Sequence, residues 1–182
     1  AGRPAAWARE DQLYRLDVDS SSIDMRAFAW RLKRAGITGV EWSVSGWTGD
    51  PYAKPTQADG LNGGGFLFYP GRAKEIAPVD SIRWEMYREG VEDYDALTLL
   101  EQAHARAHQA LKVRDARFGA GELLEQVIHP VAPSPDESTR DPRRVQSARA
   151  LVDGLVELFS GDPPCLLRFE GGGGGARVEG IT

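Results

Sequence analysis

Apolar and polar positions alternate loosely from Leu13 to Val18, which predicts a short strand ending at Asp17 to Asp19. Ser20-Ser21-Ser22 then offers hydroxyls that can accept the unpaired amides of a helix start. From Ile23 to Ala35 the apolar residues Met25, Phe28, Ala29, Trp30 and Leu32 recur at spacings of three and four, the pattern of a helix with a broad buried face. Gly36 stands where a left-handed C-cap residue is expected. Ile37 to Ser45 is rich in β-branched and aromatic residues and reads as a second strand. Strand, helix and strand in succession make a βαβ unit, whose strands are almost always parallel neighbours. The fold class that follows is α/β.

A long stretch without either period comes next, residues 46–80, punctuated by glycine and proline and holding the run Gly63-Gly64-Gly65. Loops of this length inside compact domains are usually functional. It leaves the C-terminal end of a parallel strand, where α/β proteins place their sites. Phe66 to Tyr69 reads as a short extended segment within it. Helical spacing resumes at Asp80 or Ser81, with Trp84, Tyr87, Val91, Tyr94 and Leu97 on one face, and continues to about Val113. Gly90 interrupts that face and marks either a kink or a close backbone approach. Glu122 to Ile128 and Arg143 to Phe159 are two further helices, separated by a turn-rich loop from Pro130 to Pro142. The glycine run 171–175 predicts a poorly ordered end. Three regions follow: 1–113 with the long loop, 114–160 as C-terminal helices, and 161–182 as a flexible tail.

Composition narrows the function classes. With 22 basic and 27 acidic residues among 182, the net charge is −5, which argues against nonspecific nucleic-acid binding. No apolar run approaches the roughly 18–20 residues that span a bilayer. The lone Cys165 allows no internal disulfide and has no context for a nucleophile. The start, Ala1 to Glu10, carries Arg3, Arg9 and Glu10 without an apolar stretch, so it is not signal-like. That opening is expected of an excised or truncated piece, and the compartment stays unknown.

No cofactor or metal is expected. His104 and His108 have the four-residue spacing of a metal pair, but their polar surroundings read as a solvated helix face. Gly63-Gly64-Gly65 lacks the Lys-Ser/Thr of a phosphate loop and reads as conformational. Three adjacent acid pairs, Glu10-Asp11, Glu92-Asp93 and Asp136-Glu137, are placed for solvation rather than for acid chemistry. Arg83, Arg88, Glu92 and Asp93 belong to a dense charged pattern on an otherwise apolar helix and read as a structural ion network. The candidate binding residues are Trp42 and Trp47 at the second strand's end, with Tyr52 and Asn62 on the loop. Indole faces stack on sugar C–H groups. For Trp42 two readings stand equally, pocket wall and core. Turn chemistry is the other reading for Asn62.

The run Asn62-Gly63-Gly64-Gly65-Phe66-Leu67-Phe68-Tyr69-Pro70-Gly71, followed by Pro78 to Asp95 (PVDSIRWEMYREGVEDYD), resembles the C-terminal part of the catalytic domain of glycoside hydrolase family 123. That domain is also catalogued as one of unknown function in many bacterial proteins. The likeness covers about Leu13 to Leu100 and, more loosely, the helix from Arg143 to Phe159. Gly64 departs from it, since the family commonly carries Asp there. The resemblance implies the C-terminal portion of a (β/α)8 barrel, its last strands and helices, followed by helices and a disordered Gly-rich tail. It implies hydrolysis of terminal N-acetyl-β-galactosaminides, in which the sugar's own acetamido oxygen attacks the anomeric carbon. An adjacent Asp-Glu pair at an earlier barrel strand carries that chemistry in the family. No pair here matches it, so those acids are expected N-terminal to Ala1, in a missing part of the same protein. The implied partner is a carbohydrate substrate, and a secreted or periplasmic location would fit the family. An alternative of another class is a non-catalytic carbohydrate-binding or scaffold module that uses the same aromatic loop.

Overall fold

The computed structural model describes residues 7–9, 17–41, 45, 47, 49–56, 62–63, 66–71, 77–115, 119–172 and 175–181. The protein is mostly helical with small two-stranded sheets. Strands β1 (Trp7–Arg9) and β2 (Gly39–Glu41) pair in parallel, Trp7 opposite Gly39 and Arg9 opposite Glu41. Helix α1 (Ser22–Ala35) connects them, so the βαβ unit is present. The paired first strand is Trp7–Arg9, and residues 13–16 of the expected strand lie outside the described residues. Asp17 to Ser20 is a turn, closed by the Ser20 hydroxyl on Asp17 Oδ1 at 2.9 Å. The second strand pairs over Gly39–Glu41, and residues 42–44 again lie outside the described residues. No sheet wider than two strands occurs among the described residues.

Local signals account for the helix ends. Ser21 takes the N-cap place of α1, although its side chain makes no capping bond. Gly36 adopts φ 69°, and Ile37 N–H reaches back to Leu32 O at 2.9 Å. This is the left-handed glycine closure that satisfies the last carbonyls of a helix. Helix α2 (Ile82–Ala110) begins at Ser81, whose hydroxyl accepts Trp84 N–H at 3.2 Å. Helix α3 spans Ala120–Ile128. Helix α4 (Pro142–Phe159) is capped by Asp141, which accepts Arg143 N–H at 3.0 Å, with Pro142 where a missing N–H is harmless.

The main core lies where α1, α2, α3 and α4 meet. Trp30, Leu97, Leu100, Val127, Val145, Val152, Leu155 and Phe159 form it. Each such side chain contributes roughly 1.5–3 kcal/mol when fully buried. The last two strands, β5 (Leu166–Gly172) and β6 (Gly175–Ile181), form an antiparallel hairpin. This corrects the expectation of a disordered Gly-rich tail. Leu166 is fully buried in the helical core, and Leu167 and Ile181 pack against it. Apolar anchorage at the open end, where Leu166 pairs with Ile181, holds the two strands over the described residues. Between β2 and α2, strands β3 (Phe68–Tyr69) and β4 (Val79–Asp80) pair antiparallel beside a smaller cluster of Met25 and Leu67. In this way the long loop is folded back against the first turn of α2.

Candidate functional site

The described residues of the long loop are held by turns and side-chain hydrogen bonds. Asp50 accepts the amides of Tyr52 at 2.9 Å and Ala53 at 3.4 Å through one carboxylate oxygen. Its carbonyl accepts Lys54 N–H at 3.0 Å. That turn points Tyr52 back toward β3, where its hydroxyl donates to Pro70 O at 2.9 Å. The Tyr52 and Tyr69 rings lie 5.6 Å apart. Trp47 donates its indole N–H to Phe68 O at 3.1 Å. Trp47 and Tyr52 are therefore brought to the two ends of one short strand. Trp42 lies outside the described residues.

Asn62 is held by other partners. Its Nδ2 donates to Asp19 Oδ2 at 2.9 Å, and its Oδ1 accepts the Thr56 hydroxyl at 2.6 Å. Its backbone carbonyl accepts Val18 N–H at 2.8 Å, and the next amide, Gly63 N–H, donates to Pro55 O at 2.7 Å. Asn62 thus ties together the turn before α1, the turn after Asp50 and the start of the segment that leads to β3. The turn chemistry read from sequence is present, and the side-chain amide is largely occupied by it.

The four charged residues grouped by sequence fall in separate places. Arg83, 5% exposed, reaches the loop: it donates to Gly63 O at 2.9 Å, Phe66 O at 2.6 Å and the Tyr69 hydroxyl at 2.8 Å. Arg88 pairs with Glu85 on the exposed helix face at 2.7 Å. Glu92 is exposed. Asp93 is completely buried, so of its two sequence readings the solvated acid is corrected and the member of a structural ion network stands. It accepts Arg26 at 2.7 and 2.9 Å, the Trp30 indole at 2.9 Å and Arg149 at 3.0 Å. Glu89 adds a pairing to Arg26 at 3.4 Å. The hydrogen bond from Arg26 to Asp93 raises the guanidinium pKa, against burial, which lowers it. These contacts join α1, α2 and α4.

His104 also differs from its sequence reading. It is 2% exposed, with Phe159 edge-on at 5.6 Å, while His108 is half-buried. The face of α2 that carries His104 points into the α4 contact, so the polar neighbours in sequence are not its neighbours in space. Among the described residues no group of three or more metal-ligating side chains is gathered. No helix among them is long and apolar enough to cross a membrane.

Sequence reasoning missed part of the aromatic surface. Phe68 and Trp84 rings lie 4.5 Å apart, and Trp84 and Tyr87 5.8 Å apart. All three are partly exposed beside the strand that holds Trp47. The available signal was the i, i+3 placement of Trp84 and Tyr87 in the first turns of α2, directly after an aromatic run. Burial raises the Tyr87 pKa. Two surface grooves of about 360 and 430 Å³ run along α4, one beside Val127 and Pro130 and one beside α2. Neither is lined by the aromatic loop, and the loop's stacked rings and converging polar groups make it the better candidate.

Residues 17–100 match the family model described as glycoside hydrolase 123, catalytic domain. No curated protein matches the chain. The family match runs from the turn before α1 to Leu100 within α2, and so includes the loop, Arg83 and Asp93.

Proposed function

We propose, from the premise that residues 17–100 belong to the glycoside hydrolase 123 catalytic-domain family, that this chain is the C-terminal portion of a (β/α)8 glycosidase barrel and supplies one wall of its sugar pocket. The family match is the observation that carries the reading. The aromatic loop supports it, because Trp47, Tyr52 and the neighbouring Trp84 are partly exposed aromatic side chains of the kind that stack on sugars. The substrate in this reading is a terminal N-acetyl-β-galactosaminide, hydrolysed with retention. The substrate's acetamido oxygen attacks the anomeric carbon as the leaving oxygen is protonated by one acid, and a neighbouring carboxylate steadies the oxazolinium.

Neither acid is assigned to this chain. Asp93 is committed to two arginines and Trp30 inside the helical core. Asp136 and Glu137 lie on an exposed turn, and Glu10 and Asp11 lie outside the described residues. The isolated chain should therefore bind N-acetylgalactosamine through the loop and release no nitrophenol from a nitrophenyl N-acetyl-β-galactosaminide. Release by the chain alone would refute the placement of the acids elsewhere. A folded chain whose Trp47 indole signal is unmoved by the sugar would refute the pocket wall.

That no suitably placed acid pair is found among the described residues also favours a second reading, a non-catalytic carbohydrate-binding or scaffold module. The full-length gene separates the two: an Asp-Glu pair after an apolar strand upstream identifies the enzyme.

A further inference from the structure

We propose that Arg83 is the positioning residue of this site, a clamp that holds the sugar-facing loop in its binding shape before any ligand arrives. The proposal rests on the sugar-pocket reading given above. Three acceptors converge on one buried guanidinium: Gly63 O at 2.9 Å, Phe66 O at 2.6 Å and the Tyr69 hydroxyl at 2.8 Å. They span the whole segment from the glycine turn to the end of β3. Phe66 N–H closes the same turn on Gly63 O at 3.0 Å. The planar fork of arginine can serve separated acceptors at once, which a lysine ammonium on a flexible stem cannot do in the same geometry.

The turn at Gly63 leaves no room for a side chain beside this group. Gly63 has φ +58°, and a Cβ there would stand 2.9 Å from Val18 Cγ2, 3.0 Å from the Tyr69 hydroxyl and 3.3 Å from Arg83 Nη2. The adjoining Asn62 joins Asp19 and Thr56, so three segments of chain converge beside one charge at the first turn of α2. Tyr69 passes the constraint outward, since its ring backs Tyr52 at 5.6 Å, and Tyr52 is anchored on Pro70 O. Without Arg83, Phe66 O loses its charged donor and Gly63 O keeps only the Phe66 amide, so the turn is less firmly held. A loop that has to be ordered on binding loses affinity through that ordering cost.

The test compares four proteins: wild type, R83M, R83K and V152A. Val152 is buried in the helical core away from the loop and serves as a stability control. Each full chain is titrated with N-acetylgalactosamine by tryptophan fluorescence, and amide hydrogen exchange is measured at Gly63, Phe66 and Tyr69. R83M should lose affinity about tenfold or more, the equivalent of about one charged hydrogen bond. R83K should recover part of that loss. V152A should melt at lower temperature with unchanged affinity. Exchange in the loop should speed up in both Arg83 variants and not in V152A. If R83M fails to fold, R83K alone carries the comparison. Wild-type affinity in R83K and R83M, or an affinity loss in V152A that follows its stability, overturns the clamp. A folded wild type that binds no sugar overturns the pocket reading instead. The clamp then stands or falls on exchange alone, and unchanged exchange in R83K refutes it.

Discussion

Gly90→Ala sets two effects of opposite sign against each other. Gly90 lies inside α2, where alanine is intrinsically better than glycine by about 1 kcal/mol. Contact with α1 opposes this. A Cβ at position 90 would stand 2.8 Å from Arg26 O, 3.1 Å from Arg26 Cα and 3.3 Å from Ala29 Cβ. Non-bonded heavy atoms pack at about 3.5–4.0 Å. Two of the three clashing atoms are backbone, so no change of rotamer relieves them, and α1 must withdraw by roughly half an ångström. The withdrawal pulls on Arg26, whose side chain holds Asp93 at 2.7 and 2.9 Å. Overpacking of this kind costs about 1–3 kcal/mol, and weakening a charged hydrogen bond adds about 1 kcal/mol. After the helix-propensity gain, the net loss should be about 1–3 kcal/mol. Urea unfolding followed by circular dichroism measures it. At an m-value of about 2 kcal/mol/M the midpoint should fall by about 1 M, with the slope unchanged. A variant as stable as wild type, or more so, would refute the close-approach argument and leave Gly90 as an ordinary helix glycine.

Asp93→Asn should cost about 3–5 kcal/mol in the same assay, because it leaves two guanidiniums without their carboxylate and turns one acceptor into a donor. Replacing Arg26, Asp93 and Arg149 together by apolar residues of similar volume should be far milder, and a loss below about 1 kcal/mol in the single variant would sink the account. Tyr87 is raised above the ordinary tyrosine value of 10.0 by burial. The unfolded chain then deprotonates first as pH rises, so this contribution is complete below about pH 10 and is lost through the folded-state pKa. Stability followed above pH 10 should fall less steeply in Tyr87→Phe than in wild type, and identical slopes would contradict the assignment.

The helices were legible because their signals are local. The spacing from Met25 to Leu32, the Ser81 hydroxyl and the left-handed Gly36 each act within a turn of the chain, whereas the Asp141-Pro142 start of α4 reads as loop from sequence. Of the βαβ unit, helix α1 and the second strand were legible for the same reason, but the paired first strand, Trp7–Arg9, lies ahead of the segment whose alternation predicted one. The candidate site was read only in part. Trp47 and Tyr52 converge on one strand, while Asn62 is taken up by Asp19 and Thr56. Sequence order hid the ring surface of Phe68 and Trp84, because helical spacing marks a face without naming what lies opposite.

From its sequence alone this chain determined its four helices to within a few residues, that a helix and a strand precede a long loop, and that the loop segment and α2 share a glycosidase-family pattern. Only the tertiary structure decided what the polar groups do. Asp93 reads from sequence both as a solvated acid and as a member of an ion network, and its partners are named only when Arg26, 67 residues away, and Arg149, 56 residues away, close around it. Gly90 could mark a kink or a contact until α1 is laid across it. The glycine-rich end could be loose until Leu166 enters the helical core. Hydrogen-bond capping and periodicity are settled between neighbours in the chain, whereas burial and charge pairing depend on which distant segments meet, and that is set by packing of the whole.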